Sequence, residues 1–458
     1  MSIDSGFKSY QEAMEFLFQG PDLERLTSDN KYHLTRFNLE RVEKLLSHVG
    51  SPQNGLKVVH VAGTKGKGST AIMIAQFLEE AGYRVGLFTS PHLIHLEERV
   101  SINGVTVPKE EVCRLLGRLR DYVEGERKIN INDSPTFFEI LTALGLMYFS
   151  GSPPNGVDWA VLEVGMGGRL DATNVVTPRV SVITEIGMDH TEFLGTTLRQ
   201  IACEKAGIIK EGVPVVSFPG SEMALAVVEE RCKEKEVSHY LVGRDIGITS
   251  VKGLSLEGVE CDIRTWAREY RGLRIPLLGN HQARNCACAL GAIEVLAEKR
   301  SIQWSEEMAK RALSHLRCPA RIEVVSREPL VILDSAHNVP SMRALVSTLG
   351  ELRKDVPLKR LILVLGLSQD KDVDGILREI GPFADELILT TSGYPRAAEP
   401  RLLRKRVMEL LGRRALVVGE AGRALERAKK LAKPGDCICV TGSFYLAGRV
   451  MEAMGLSQ

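Results

Sequence analysis

Residues 59–70 read VHVAGTKGKGST, and what this stretch is decides the fold. The apolar run LKVV leads into it at residues 56–59, and AIMIAQFLEEAGY follows from residue 71 with helical apolar spacing. A strand, a glycine- and lysine-rich turn and a helix form the setting of a phosphate-cradling loop. There, backbone N–H groups at a helix N-terminus and a lysine meet a nucleotide. Yet the strict pattern G-x-x-x-x-G-K-[ST] fails twice. With Gly66-Lys67 as its G-K, the first glycine would fall at Val61, and Gly68 stands where a magnesium-binding hydroxyl is expected. Either the loop is broken, or its metal oxygen comes from elsewhere.

Outward from this loop the chain alternates. The runs LKVVHVAG, RVGLFTS, DWAVLEVG, VSVITEIG and VPVVSF are apolar and β-branched. Helical patterns such as KEEVCRLLGRLRDYV, TFFEILTALGLMYF and TTLRQIACEKAGIIK separate them. Continuous apolar strands divided by helices imply a parallel sheet covered on both faces. After Ser250 the texture changes to LSLEGVECDIRTWAREYRGLRIPLLG, which predicts a small antiparallel excursion, and a helix follows from about His281 to Lys299. A second alternating series runs through PLVILDSAHN, RLILVLGLS, ELILTTS, ALVVGE and DCICVTGS. The expected fold is α/β, with a P-loop-type parallel-sheet ATPase domain over residues 1–316 and a Rossmann-like C-terminal α/β domain over residues 317–458.

Composition sets the bounds. A chain of 458 residues, 44% hydrophobic and 26% charged, is an ordinary globular one with room for two or three cores. A net charge of +1 argues for neither a nucleic-acid partner nor an acidic tail. No apolar run reaches the roughly 20 residues of a membrane helix, and MSIDSGFKSYQEAMEFLF lacks the pattern of a secretory signal. Nine cysteines without metal spacing read as plain buried thiols of a reducing cytoplasm.

Ligands of α/β sheets gather at the carboxyl ends of strands. Those ends carry the opening loop, then Thr89-Ser90-Pro91-His92, then Glu163 with Arg169 and Asp171 just beyond, then Asp189-His190. Magnesium beside phosphate wants hard oxygens, which Ser69, Ser90 and Glu163 can offer, with His190 available for a second metal. Lys67 follows Gly66 in the standard register and is the candidate phosphate lysine, whereas Lys65 reads as a solvated loop residue.

The motifs GTKGKGS, TSPHL, LEVGMGGRLDATN, ITEIGMDHTEFLG, EKAGIIK, CPAR and LDSAHN occur in one order along nearly the whole chain. In this the sequence resembles the folylpolyglutamate synthase and dihydrofolate synthase family of the Mur ligase superfamily. The resemblance implies an ATP-dependent amide ligase that adds L-glutamate to a pteroate or folate; the expectation is a cytoplasmic enzyme, a monomer, with no nucleic-acid or membrane partner. It also implies residue roles. Gly63, Thr64, Gly66, Lys67, Gly68 and Ser69 would cradle the ATP phosphates, and Asn285, Arg321, Asp334 and His337 would complete the nucleotide site. Of two Mg2+ sites, the first would use Ser90 and Glu163, and the second His190 and Lys205, the lysine as a carbamate. Lys67, Glu163, His190 and Lys205 would thus be the catalytic set. Thr136, Phe137, Phe138, Glu139 and Asn338 would face the substrate. The family commonly has asparagine where this chain has Lys65. Another Mur-type ligase acting on muramyl peptides, a nucleotide-gated binding protein and a nucleotide kinase are the competing readings.

Overall fold

The computed structural model describes residues 6–21, 38–151 and 156–456. The first five residues of the stretch read for a leader lie outside the described residues.

The first alternating series folds into one eight-stranded sheet. Its strands are β1 (Val58–Ala62), β2 (Val85–Phe88), β3 (Val100–Ile102), β4 (Val105–Thr106), β5 (Trp159–Glu163), β6 (Val180–Ile183), β7 (Val215–Ser217) and β8 (His239–Leu241). They lie in the order β4-β3-β2-β5-β1-β6-β7-β8. Strands β1, β5, β6 and β7 are buried throughout and pair in parallel. This is why they read as unbroken apolar runs: helices cover both faces. β1 is central, so the loop after it opens at the middle of the carboxyl edge.

At one margin β3 and β4 add an antiparallel hairpin. Its turn residues Asn103 and Gly104 have φ of 47° and 73°, the left-handed pair that an Asn-Gly hairpin turn requires.

The stretch after Ser250 forms the expected antiparallel excursion: β9 (Gly247–Gly253), β10 (Val259–Arg264) and β11 (Glu269–Ile275). It packs on the helix His281–Glu298 through the wholly buried Glu294 carboxylate. That group accepts from Tyr270 Oη at 2.6 Å and Thr265 Oγ1 at 3.2 Å and pairs with Arg268.

The second series forms a six-stranded sheet of β12 (Glu323–Arg327), β13 (Leu330–Leu333), β14 (Leu361–Leu365), β15 (Glu386–Leu389), β16 (Leu416–Val417) and β17 (Cys437–Thr441). The order is β12-β13-β17-β14-β15-β16, with β12 antiparallel at the edge and the rest parallel. All nine cysteines are free, but Cys113 is only partly buried and Cys203 is exposed, so the expectation of uniformly buried thiols fails there. No helix among the described residues is long and apolar enough to cross a membrane.

One core group sets an acid limit on stability. His60, in the middle of β1, is fully buried, and burial lowers its pKa to about 3. The Thr173 hydroxyl donates to Asp171 at 2.6 Å, so Nε2 of His60, 2.8 Å away, carries the proton it donates to that oxygen. Nδ1 is buried without a partner. The unfolded chain takes up a proton near pH 6.5, while the folded chain does not until about pH 3. Stability is therefore whole well above pH 6.5 and falls progressively as the pH drops through that value toward 3, by about 5 kcal/mol at full effect. Urea unfolding at pH 7.5 and 5.0 is expected to show a smaller difference for His60→Gln than for the parent. Equal differences would remove His60 as the cause.

Candidate active site

The phosphate-type loop has the geometry its glycines demand. The helix Lys67–Glu80 is capped by Gly66 at φ 79°, with no side-chain cap, so its first N–H groups are left for a ligand. A Cβ on Gly66 would overlap the Asn285 amide oxygen and lie 3.1 Å from its Cγ, which brings helix His281–Glu298 against the loop. Asn285 is held by Gln282, to which its Nδ2 donates at 2.9 Å.

The loop is stitched to the end of β6. Thr64 and Lys65 N–H both donate to the Glu185 carbonyl, at 2.8 and 3.1 Å. The Thr64 hydroxyl donates to the Gly187 carbonyl at 3.1 Å and accepts from its N–H at 3.0 Å. Lys65 is not the solvated residue that was expected: its side chain is 21% exposed, and Nζ pairs with Glu185 at 3.4 Å. With acidic Glu185 beside the loop, the two groups neutralise each other.

Glu163 ends β5 beside this loop and is 3% exposed. One carboxylate oxygen accepts from the Ser90 N–H at 3.1 Å. Burial pushes its pKa up, opposed by the charges of Lys67 and Arg321. A Cβ placed on Gly68 would lie 3.4 and 3.5 Å from the two Glu163 oxygens and 3.2 Å from Arg321 Nη2. The missing hydroxyl is thus a space bounded by a carboxylate from one strand and a guanidinium from the other domain. Just past Glu163, Asp171 accepts from Met166 N–H at 2.9 Å and Thr173 N–H at 3.0 Å, fixing the glycine turn between them.

On the other side of the loop Lys205, 4% exposed on the helix Leu198–Ala206, donates from Nζ to the Gly63 carbonyl at 2.8 Å. Desolvation first, and then the charge of Lys67, lower its pKa to about 7. His190 has φ 48° and caps the short helix Thr191–Leu194. Its ring lies 4.0 Å from Asp189. Desolvation lowers the imidazole pKa, although Asp189 works against it. Burial alone would raise the Asp189 pKa, but His190, His337, Lys371 and Lys67 outweigh it and hold the carboxylate well below its usual range.

The second sheet closes the site from above. Arg321 lies over the Phe444 ring at 4.7 Å and donates to Ser335 Oγ at 3.3 Å. Asp334 is spent on backbone: it accepts from Ile322 N–H at 3.1 Å and Ala336 N–H at 2.8 Å, so it fixes the turn that aims Arg321. His337 Nδ1 bonds the Ser335 carbonyl at 2.9 Å. Asn338 caps the helix Val339–Asp355 and donates from Nδ2 to Asp189 at 2.9 Å, joining the two domains. Lys371 Nζ, 3.9 Å from Asp189, was missed in the sequence. It follows β14 in the segment LSQDK, and the strand-end rule applied to the second sheet points to it.

The TFFE segment makes its own set of contacts. Thr136 and Glu139 form a reciprocal capping box for the helix Phe137–Phe149. Glu139 is also bound by Arg41 at 2.6 and 2.7 Å. Phe137 is buried, stacked on Phe18 at 5.2 Å with the Arg99 guanidinium over its ring. Phe138, half-buried, meets Phe88 edge-on and fills the space a side chain on Gly165 would need.

The donor set fits magnesium. Glu163 supplies a buried carboxylate, the Ser90 backbone is tied to it, and the adjoining space holds the orphan N–H groups of a helix start. Among the described residues no group of three or more His, Cys, Asp or Glu forms a complete protein cage.

Two family models match the chain. Residues 61–293 match the model of the Mur ligase middle domain, and residues 320–444 that of the Mur ligase, glutamate ligase domain. The dihydrofolate synthase/folylpolyglutamate synthase of Bacillus subtilis (strain 168) is 35% identical over 360 residues, 79% of this chain and 82% of that protein. This chain belongs to the folylpolyglutamate synthase and dihydrofolate synthase family of Mur ligases. Other members span it more fully. The folylpolyglutamate synthase of Lacticaseibacillus casei is 32% identical over 97% of this chain and 99% of its own. The structure of Mycobacterium tuberculosis folylpolyglutamate synthase complexed with ADP and AMPPCP superposes with a TM-score of 0.85 at 30% identity, covering 97% of this chain and 99% of that one. As a member of the folylpolyglutamate and dihydrofolate synthase family, the protein is an ATP-dependent ligase.

Proposed function

We propose that this chain joins L-glutamate to the carboxylate of a folate or dihydropteroate through an acyl phosphate, with Lys67, Arg321, Glu163, His190 and Lys205 at the reacting end. The observation that carries the reading is Arg321. It reaches from the second domain to the space beside Gly68 and Glu163, so the ATP-side charges come from both domains.

A carboxylate is a poor electrophile, and its oxygen must displace ADP from the γ-phosphorus. That step needs positioning and positive charge more than covalent help. Lys67 and the free N–H groups at the start of its helix hold the phosphates. Arg321, kept in place by Ser335 and Phe444, meets the charge on the transferring group. Ser90, Glu163 and His190 would hold magnesium, with Lys205 joining as a carbamate; bound there, the metal neutralises phosphate charge. The glutamate amine, as free base, then attacks the acyl carbon. The C–O bond to phosphate breaks, and the nitrogen gives up a proton. Asp189, gripped by Asn338 and near Lys371, keeps the domains together so that water stays away from the acyl phosphate. Asn285, Asp334 and His337 line the nucleotide side, and Asn338 with the TFFE segment the acceptor side. The same reading takes the protein as a monomer of a reducing cytoplasm, where its cysteines stay thiols.

The test is one assay with ATP, magnesium and L-glutamate, comparing dihydropteroate and tetrahydrofolate as acceptors by product mass. Phosphate release that depends on both acceptor and glutamate, with a glutamylated product, is expected. Phosphate release indifferent to either would leave a nucleotide-gated binding protein instead. Ligation of a muramyl peptide would move the chain to another Mur branch.

A further inference from the structure

The helix Phe444–Ala453 presents three residues of its first turns to functional groups. Phe444 lies under Arg321 and 5.7 Å from His337, and Tyr445 meets the His92 ring edge-on at 6.0 Å. Gly448 meets the loop after β2. A Cβ at Gly448 would overlap the Leu93 carbonyl oxygen and lie 2.7 Å from its carbonyl carbon. The obstacle is backbone, which cannot swing aside. Leu93 and Ile94 belong to the first domain but pack against the second-domain core cluster that contains Leu446 and Val450.

This loop is stiff. The Glu98 carboxylate accepts from the N–H groups of Leu93, Ile94 and His95 at 2.7, 3.0 and 2.7 Å. The Arg99 side chain, fully buried, donates from Nε to His92 Nδ1 at 2.8 Å. At the loop's start the Ser90 N–H holds Glu163. Pressure on the Leu93 carbonyl is therefore passed to Ser90 rather than absorbed.

We infer that Gly448 is a seat for the Leu93 carbonyl, and that seating sets the Ser90–Glu163 pair in register for turnover. Gly448 is then a positioning residue: it touches neither nucleotide nor acceptor, and acts through the loop of residues 90–98. The inference rests on the reading that Ser90 and Glu163 serve the reacting phosphate.

Gly448→Ala tests it. Alanine is favoured over glycine inside a helix by about 1 kcal/mol, but its methyl overlaps the Leu93 backbone, so the thermal midpoint is expected to fall while the variant still folds. Displacing the loop by about an ångström is expected to lower kcat by about ten- to a hundredfold. Calorimetric binding of AMPPCP is expected to weaken by much less than kcat falls, a split that opening of the two domains alone, which acts on nucleotide affinity, would not give. The control is Gly350→Ala on the helix Val339–Asp355, where the nearest atoms to a new Cβ are 4.0 Å away. It should keep the parent kcat. Should Gly448→Ala fail to fold, Glu98→Ala loosens the same loop from its own domain and is expected to give the same kcat loss. A parent-like kcat in folded Gly448→Ala, or in Glu98→Ala where the first cannot be made, overturns the seat. If Glu163→Gln also turns over normally, the reading of the site has failed; if it is inactive while Gly448→Ala is not, only the seat has.

Discussion

Glu163→Gln is expected to lower ligation by about two to three orders of magnitude at saturating magnesium, a loss of about 2–4 kcal/mol of transition-state stabilisation. The change keeps the shape of the side chain and its bond from Ser90 but removes the one carboxylate that borders the Gly68 space. The loss should appear in kcat, since the charge is needed most as the γ-phosphoryl group moves. Burial raises the carboxyl pKa, so in the parent the ionised form gives way to the neutral one at a higher pH than for an exposed glutamate. Magnesium competes with that proton, so its affinity should fall on the acid side accordingly, and this dependence should vanish in the variant. Near-normal turnover would remove Glu163 from the phosphate site.

Lys205→Ala is expected to come close to abolishing ligation. The lysine is 4% exposed, and its pKa is brought down to about 7, so near neutrality much of it is the free amine that attacks carbon dioxide. An N–C bond forms and a proton leaves. A positive group becomes a negative one with two hard oxygens, the ligand type magnesium takes. A cation at that place would repel the metal. Added formate or acetate should restore part of the activity by filling the vacated oxygen site. Enzyme held in bicarbonate should show a lysine carbamate that is lost on acidification. A variant that ligates at the parent rate would show that Lys205 serves only to brace the Gly63 carbonyl.

The legible parts of the molecule are those whose residues are dictated locally. Strands β1, β5, β6 and β7 are buried on both faces, so their runs stand out without context. The excursion shows as the partial alternation of β10 and β11. Edge strands escaped because they are short and half-exposed: β8 has three residues, none fully buried, and β12 alternates with nothing. The Asn-Gly turn between β3 and β4 was the one local signal available and was passed over. Within the site, the loop and the strand ends could be located from sequence, but partners could not. Arg41 is 98 positions from Glu139, and Asp189 is 149 from Asn338. Such pairs are set by which helix faces which, a property of the packed whole. The same reason applies to Asp334: its bonds from the Ile322 and Ala336 N–H groups, which fix the turn carrying Arg321, cannot be read from its place after a buried strand.

One feature of the phosphate site bears on how nucleotide affinity itself should behave. On the proposed reading that Lys67 and Arg321, which stand on different domains, both meet the ATP phosphates, only molecules with the domains together would offer ATP its full set of charges. The measured dissociation constant is then the intrinsic one divided by the fraction of molecules already closed. A substitution far from any phosphate that shifts this fraction tenfold weakens ATP tenfold without touching it. By reciprocity, bound nucleotide tightens the grip between the domains by the same factor. Acceptor and glutamate would then meet a cleft whose closed population ATP has already raised, and by the same linkage each of them would raise the affinity for ATP.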